Sequence, residues 1–178
     1  MAITEDILRF WFGTTDCAEL VEKREIWFKS TPSFDQNIKK RFLNTYKLSA
    51  ENKLDHLLEE GAGCLVLIIL LDQFPRNIFR HSALAYATDQ KARSVAIHAI
   101  NCELDHGLSP WHKAFLYLPF EHSENIADQN KSVELFTQLN IEDAIEAAVD
   151  HRDIIRKFGR FPYRNKALGR SNTPAEEE

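Results

Sequence analysis

CLVLIILL, residues 64–71, runs without a break into DQFPRN, residues 72–77, and the fold is read outward from this stretch. Eight apolar residues fall far short of the roughly 20 that span a bilayer, so the run reads as a core segment enclosed by other elements. It lacks the period-two alternation of a half-buried strand, and so does the rest of the chain, where apolar positions recur at helical spacing. Helices are expected near 4–12, 18–29, 33–47, 50–60, 63–73, 88–106, 110–121, 127–139 and 142–158. The expectation is an all-α chain of about nine helices in antiparallel hairpins, with short linkers everywhere except 74–87. A repeat of about 34 residues does not emerge in any register.

Start and stop signals mark these boundaries. Thr4 precedes Glu5 and Asp6, Thr88 precedes Asp89, and Ser109 precedes Pro110 at a first helical position. Gly61 and Gly63 divide two helices, Gly107 follows a long one, and Gly159 stands where a helix end calls for positive φ. One domain over 1–170 and a polar, acidic tail over 171–178 account for the 178 residues.

The net charge of -5 argues against a surface built for nucleic acid or anionic membrane, and neither is expected as a partner. The exception is local: residues 151–170 carry seven Lys or Arg against the single acid Asp153. Cys17, Cys64 and Cys102 are widely spaced and set in apolar patterns, as reduced thiols of a cytoplasmic protein would be. The N-terminus lacks the pattern of a signal peptide.

Three constellations can carry chemistry. Asp72 continues the buried helix in phase, so its carboxylate needs a partner, and Arg76, Asn77 or the arginines of the second Phe-Pro loop are the candidates. In WHKAFLYLPFEHSEN, 111–125, His122 extends the stripe of Trp111, Phe115 and Leu118, just past Pro119, which should interrupt the helix. A carboxylate from Glu121 or Glu124 would fix its tautomer for general acid/base work, or simply satisfy a core-edge histidine. His151 shares an inward face with Ala144, Ala147, Ile154 and Phe158. Its HRD has none of the context of a kinase loop. With no HExxH and no ligand pair at i, i+4, neither a metal nor a cofactor is expected.

DQFPRN, LPFEHSEN, HRDIIRKFGRFPYRN and LGRSNT, with ILRFWFG at 7–13, together resemble the bacterial domain-of-unknown-function family 924. The resemblance spans essentially the whole chain. It implies a single tetratricopeptide-like α/α superhelix and brings no catalytic residues with it. Tyr163 stands where the family's Phe-Pro-His-Arg-Asn pattern has histidine, so no imidazole is carried over there.

The two Phe-Pro loops, FPRN at 74–77 and FPYRN at 161–165, suggest a function. Each buries a ring and stops a helix, leaving Arg76 with Asn77 and Arg164 with Asn165 on fixed backbone. With Asp72, Arg160 and Arg170 nearby, such pairs suit a carboxylate or phosphate. The expected ligand is an anionic small molecule or the acidic end of a peptide. Glu121, His122 and His151 would line the same cavity and support hydrolysis or group transfer. The alternative is a non-enzymatic scaffold or protein-binding module in which these polar motifs are interior clasps.

Overall fold

The computed structural model describes residues 2–177. Nine helices and no strand lie among the described residues. They are α1 (Ala2–Phe12), α2 (Pro32–Ala50), α3 (Gly61–Ile78), α4 (Asp89–Asn101), α5 (Pro110–Glu121), α6 (Ile126–Leu139), α7 (Glu142–Phe158), α8 (Asn165–Leu168) and α9 (Pro174–Glu177).

The apolar run forms the middle of α3, and every residue from Cys64 to Leu71 is fully buried. Helices α1, α2, α4 and α5 all pack on α3, which makes it the central helix. At about 2 kcal/mol per buried Leu or Ile side chain, it is the largest single source of core stabilisation. Over 18 residues α3 is long and apolar enough to cross a bilayer by length and composition, more than its eight-residue run indicates; 78% of it is buried within the fold. Its first turn approaches neighbouring backbone so closely that a Cβ on Gly61 would lie 2.1 Å from the Leu104 carbonyl oxygen, and one on Gly63 2.0 Å from that of Leu57. Only glycine fits there.

Phe74-Pro75 does not stop this helix as expected. Residues Ile69–Gln73 form a π-helical turn in which the Phe74 N–H bonds to the Ile69 carbonyl, and α-helix resumes through Ile78. Proline has no N–H for the carbonyl four residues back, and its ring would clash with that carbonyl in a regular helix. Widening the turn relieves the clash. The freed Leu71 carbonyl accepts from Thr88 Oγ1 at 2.5 Å; the next carbonyl, of Asp72, accepts from Arg76 Nη1 at 2.6 Å. The Phe74 ring is buried as anticipated, stacked on Phe42 with centroids 4.9 Å apart.

Other boundaries differ too. The helix expected over 18–29 is a single 3-10 turn, Glu25–Trp27, within an otherwise irregular segment. Trp27 Nε1 donates to the Trp11 carbonyl at 2.8 Å, and Arg24 donates to the carbonyls of Phe10 and Trp11. These side chains satisfy the end of α1 and override local helical propensity. Residues 50–60 hold the end of α2 and a 3-10 turn, Asp55–Glu59. Helix α1 begins before Thr4, and α4 ends at Asn101 rather than 106. Pro119 sits inside α5, which continues to Glu121. Gly159 ends α7 with φ 69°. The three cysteines are free thiols.

Candidate functional site

The π-helical turn carries Asp72 to the face where α5 ends and α7 passes. Extra turns of this kind recur at functional sites because they re-aim one or two side chains. Asp72 is fully buried, and its carboxylate takes Nδ1 of His122 at 2.8 and 2.9 Å and Gln73 Nε2 at 2.6 Å. Arg76 Nη1 lies 3.3 Å away. Burial alone would raise the Asp72 pKa; the Arg76 charge and the His122 and Gln73 hydrogen bonds outweigh it and hold the carboxyl well below its usual range.

The histidine therefore receives its carboxylate from α3, and not from Glu121 or Glu124. With an anionic acceptor on Nδ1, that nitrogen carries the proton and Nε2 is left as a base. Burial, with the Arg76 charge second, lowers the His122 pKa to about 4 despite the pull of Asp72. The ring stays neutral near pH 7 and lines two adjoining clefts of about 340 and 510 Å³. Among the described residues, no side chain or carbonyl bonds to Nε2.

Glu121 is 5% exposed and lies 3.5 Å from His151 Nδ1, which donates to the Ala147 carbonyl at 2.8 Å. Burial first and the nearby Asp72 charge second push its pKa up to about 8, so it is a carboxylic acid at neutral pH. Asp72 and Glu121 thus occupy opposite charge states in one site. Paired groups with opposed shifts are a pattern of acid/base centres, although structural networks produce it as well.

The two Phe-Pro loops meet. Arg76 makes a two-pronged contact with Asp89, 2.9 and 3.0 Å, and Arg164 Nη1 approaches the same carboxylate at 3.5 Å. Both guanidiniums lie over Tyr86, at 5.6 and 4.7 Å from its ring centre. Arg164 is 4% exposed and also lies over Phe161, and its Nη2 is buried without a hydrogen-bond partner. Asp89 and Tyr86, the common anchors, are not singled out by sequence reasoning. Asp89 reads there only as a helix start, and no local spacing links it to either loop.

Of the remaining candidates Asn77 lines the His122 cleft, and the others lie elsewhere. Asn77 donates to Asp35 at 2.7 Å, beside an Arg80–Asp35 ion pair. Arg170 holds Glu124 in a two-pronged contact, 2.7 and 2.9 Å, and reaches Asn165 at 2.9 Å. Arg160 grips Glu176 on α9 at 2.6 and 2.7 Å, and Asn165 donates to Asn172 at 2.9 Å. These three form a clasp around the second loop and draw in the terminal segment, which in sequence reads as a polar, acidic tail. Among the described residues no three His, Cys, Asp or Glu side chains converge as a metal site would need.

The model for a family described as "Bacterial protein of unknown function (DUF924)" matches residues 7–178. A solved structure of a protein of unknown function from Agrobacterium tumefaciens is similar at 39% sequence identity and a TM-score of 0.90, over 99% of this chain and 95% of that one. No curated protein matches.

Proposed function

The chain belongs to the bacterial family of unknown function DUF924, and we propose that its cleft binds a small molecule with a carboxylate or acyl group and that His122 acts there as a general base. The observation that carries this reading is the Asp72–His122 pair: a buried carboxylate fixes one ring nitrogen and leaves the other facing open volume. In hydrolysis of an acyl ester, Nε2 takes a proton from water and the resulting hydroxide adds to the carbonyl carbon. The alkoxide then leaves and recovers the proton from His122. Protonated Glu121 supplies a hydrogen bond to the developing oxyanion. Arg76, one-fifth exposed at the cleft wall, orients a carboxylate.

Chromogenic short-chain acyl esters test this. Turnover should follow a bell, rising above pH about 4 as His122 becomes neutral and falling above about 8 as Glu121 ionises. His122→Gln should lower it by at least about 100-fold while the protein still melts cooperatively. Equal rates in wild type and His122→Gln would sink the base assignment.

A second reading has its own support, because most of the arginines are already engaged. Arg76 and Arg164 face Asp89, Arg170 faces Glu124 and Arg160 faces Glu176. A non-enzymatic helical module that binds protein segments would use these pairs as clasps. It predicts no turnover of any acyl ester and strong destabilisation when an arginine is removed.

A further inference from the structure

We infer that the ligand of this cleft is amphipathic, its polar head meeting Glu121 and His122 while an apolar tail of about six carbons enters a pocket between α5 and α7. This rests on the binding reading above and adds the other half of the molecule. The pocket has about 160 Å³ of free volume and is walled by Phe28, Trp111, Leu118, Phe136, Ala144 and Ala147. Phe28, Leu118, Ala147 and Glu121 also wall the cleft that holds His122, so the two spaces adjoin, with Glu121 in the wall of both.

The chemistry of the walls changes along this path. At the head end stand Arg76, His122, His151 and Glu121, whereas past Leu118 the walls are aromatic rings and alanine methyls. Only Lys23 and Asp143, paired with each other at the outer rim, are charged there. An apolar cavity of roughly 150 Å³ takes up benzene, so this one matches a phenyl ring or a chain of about six carbons. Phe28 is 59% exposed and lies on the pocket wall. A large exposed ring there has a use if an apolar tail covers it. Ala144 and Ala147, one turn apart on α7, leave the volume open, since leucine at either position would fill it.

The probes are straight-chain carboxylates from acetate to decanoate and the matching neutral alcohols, titrated calorimetrically into the full chain. Carboxylate affinity should rise about fourfold per methylene up to about six carbons and then level off. Ala144→Leu, at a position that lines the apolar pocket and not the His122 cleft, should abolish that rise and leave acetate binding unchanged. Ala114→Leu, also on the wall of the apolar pocket alone, provides the same block should Ala144→Leu fail to melt cooperatively. Affinity independent of chain length, or a length dependence untouched by both blocking variants, would overturn the inference. If the alcohols show the blockable rise and the carboxylates do not bind, the tail pocket stands and the carboxylate head falls. If neither series binds, both fall.

Discussion

Glu121 illustrates how far a single residue can be taken. Its sequence position, beside a histidine on an apolar stripe, suggests a partner for that histidine, but residues adjacent in a helix point about 100° apart. Asp72 fills the role from another helix, a pairing no spacing rule could reveal. What burial does to Glu121 is nonetheless measurable. Its pKa is raised to about 8 from an ordinary 4.5, so the folded state keeps a proton that the unfolded chain has released. Stability from this group is complete below pH 4.5 and is lost as pH rises toward 8. His122 and His112, both lowered to about 4 from 6.5, work in the opposite sense: their contribution is present above pH 6.5 and lost as pH falls toward 4. The two trends oppose each other in acid; between pH 6.5 and 8 Glu121 dominates, offset in part as the histidines of the unfolded chain lose their last protons. At about 1.4 kcal/mol per pH unit for a full proton, the protein should lose about 1 kcal/mol over that interval. Glu121→Gln keeps the shape without the titration and should flatten the loss, as urea unfolding at pH 6.5 and 8 would register. A slope that survives the substitution would mean that Glu121 is ionised in the fold.

Among the elements, α3 was legible in composition and illegible in detail. Eight apolar residues announce a buried helix, yet a periodicity of 3.6 cannot register the one extra residue that widens a π-helical turn. The hint was Pro75, read as a stop because a proline normally ends a helix at the residue before it. The turn instead absorbs the proline, and Thr88, from the start of α4, satisfies the carbonyl set free. Thr88 resembled a capping residue in sequence; its hydroxyl is spent on Leu71, and no side-chain cap forms. The same tertiary demand dissolved the helix expected over 18–29, where Trp27 and Arg24 serve the end of α1. Thr88→Val removes the donor at nearly constant volume and leaves a fully buried carbonyl unpaired. It should cost about 1–3 kcal/mol in urea unfolding. It should also loosen the turn that aims Asp72, so the His122 imidazole resonances in an NMR spectrum should shift. A neutral substitution would mean that the π-helical turn is held by the packing of α3 alone.

At the scale of the whole molecule, the two Phe-Pro loops, 87 residues apart at Phe74 and Phe161, are joined through Asp89 and Tyr86. Their similarity was visible in the sequence; their meeting was not, since it depends on how α4 and α7 lie relative to α3. The joint also sets the charge of the site. Asp72 and Asp89 face Arg76 and Arg164, a balance of two against two that leaves Glu121 neutral without a counterion. Arg164 is the most buried of the four after Asp72, and its charge is one of the influences that hold the His122 pKa down. Arg164→Met keeps much of the bulk between Tyr86, Phe161 and Tyr163 and removes the charge. The cluster then carries one excess negative charge, which favours protonated His122. Its titration, followed by NMR, should move upward from about 4, and the acid limb of any ester turnover should move with it. The melting temperature should also fall, because Asp89 loses one of its two cations while most of its surface stays covered. These two readouts separate the roles of the residue. A lower melting temperature with an unmoved His122 titration would make Arg164 a clasp and nothing more, whereas a raised titration at nearly constant stability would make the second Phe-Pro loop part of the electrostatics of the site.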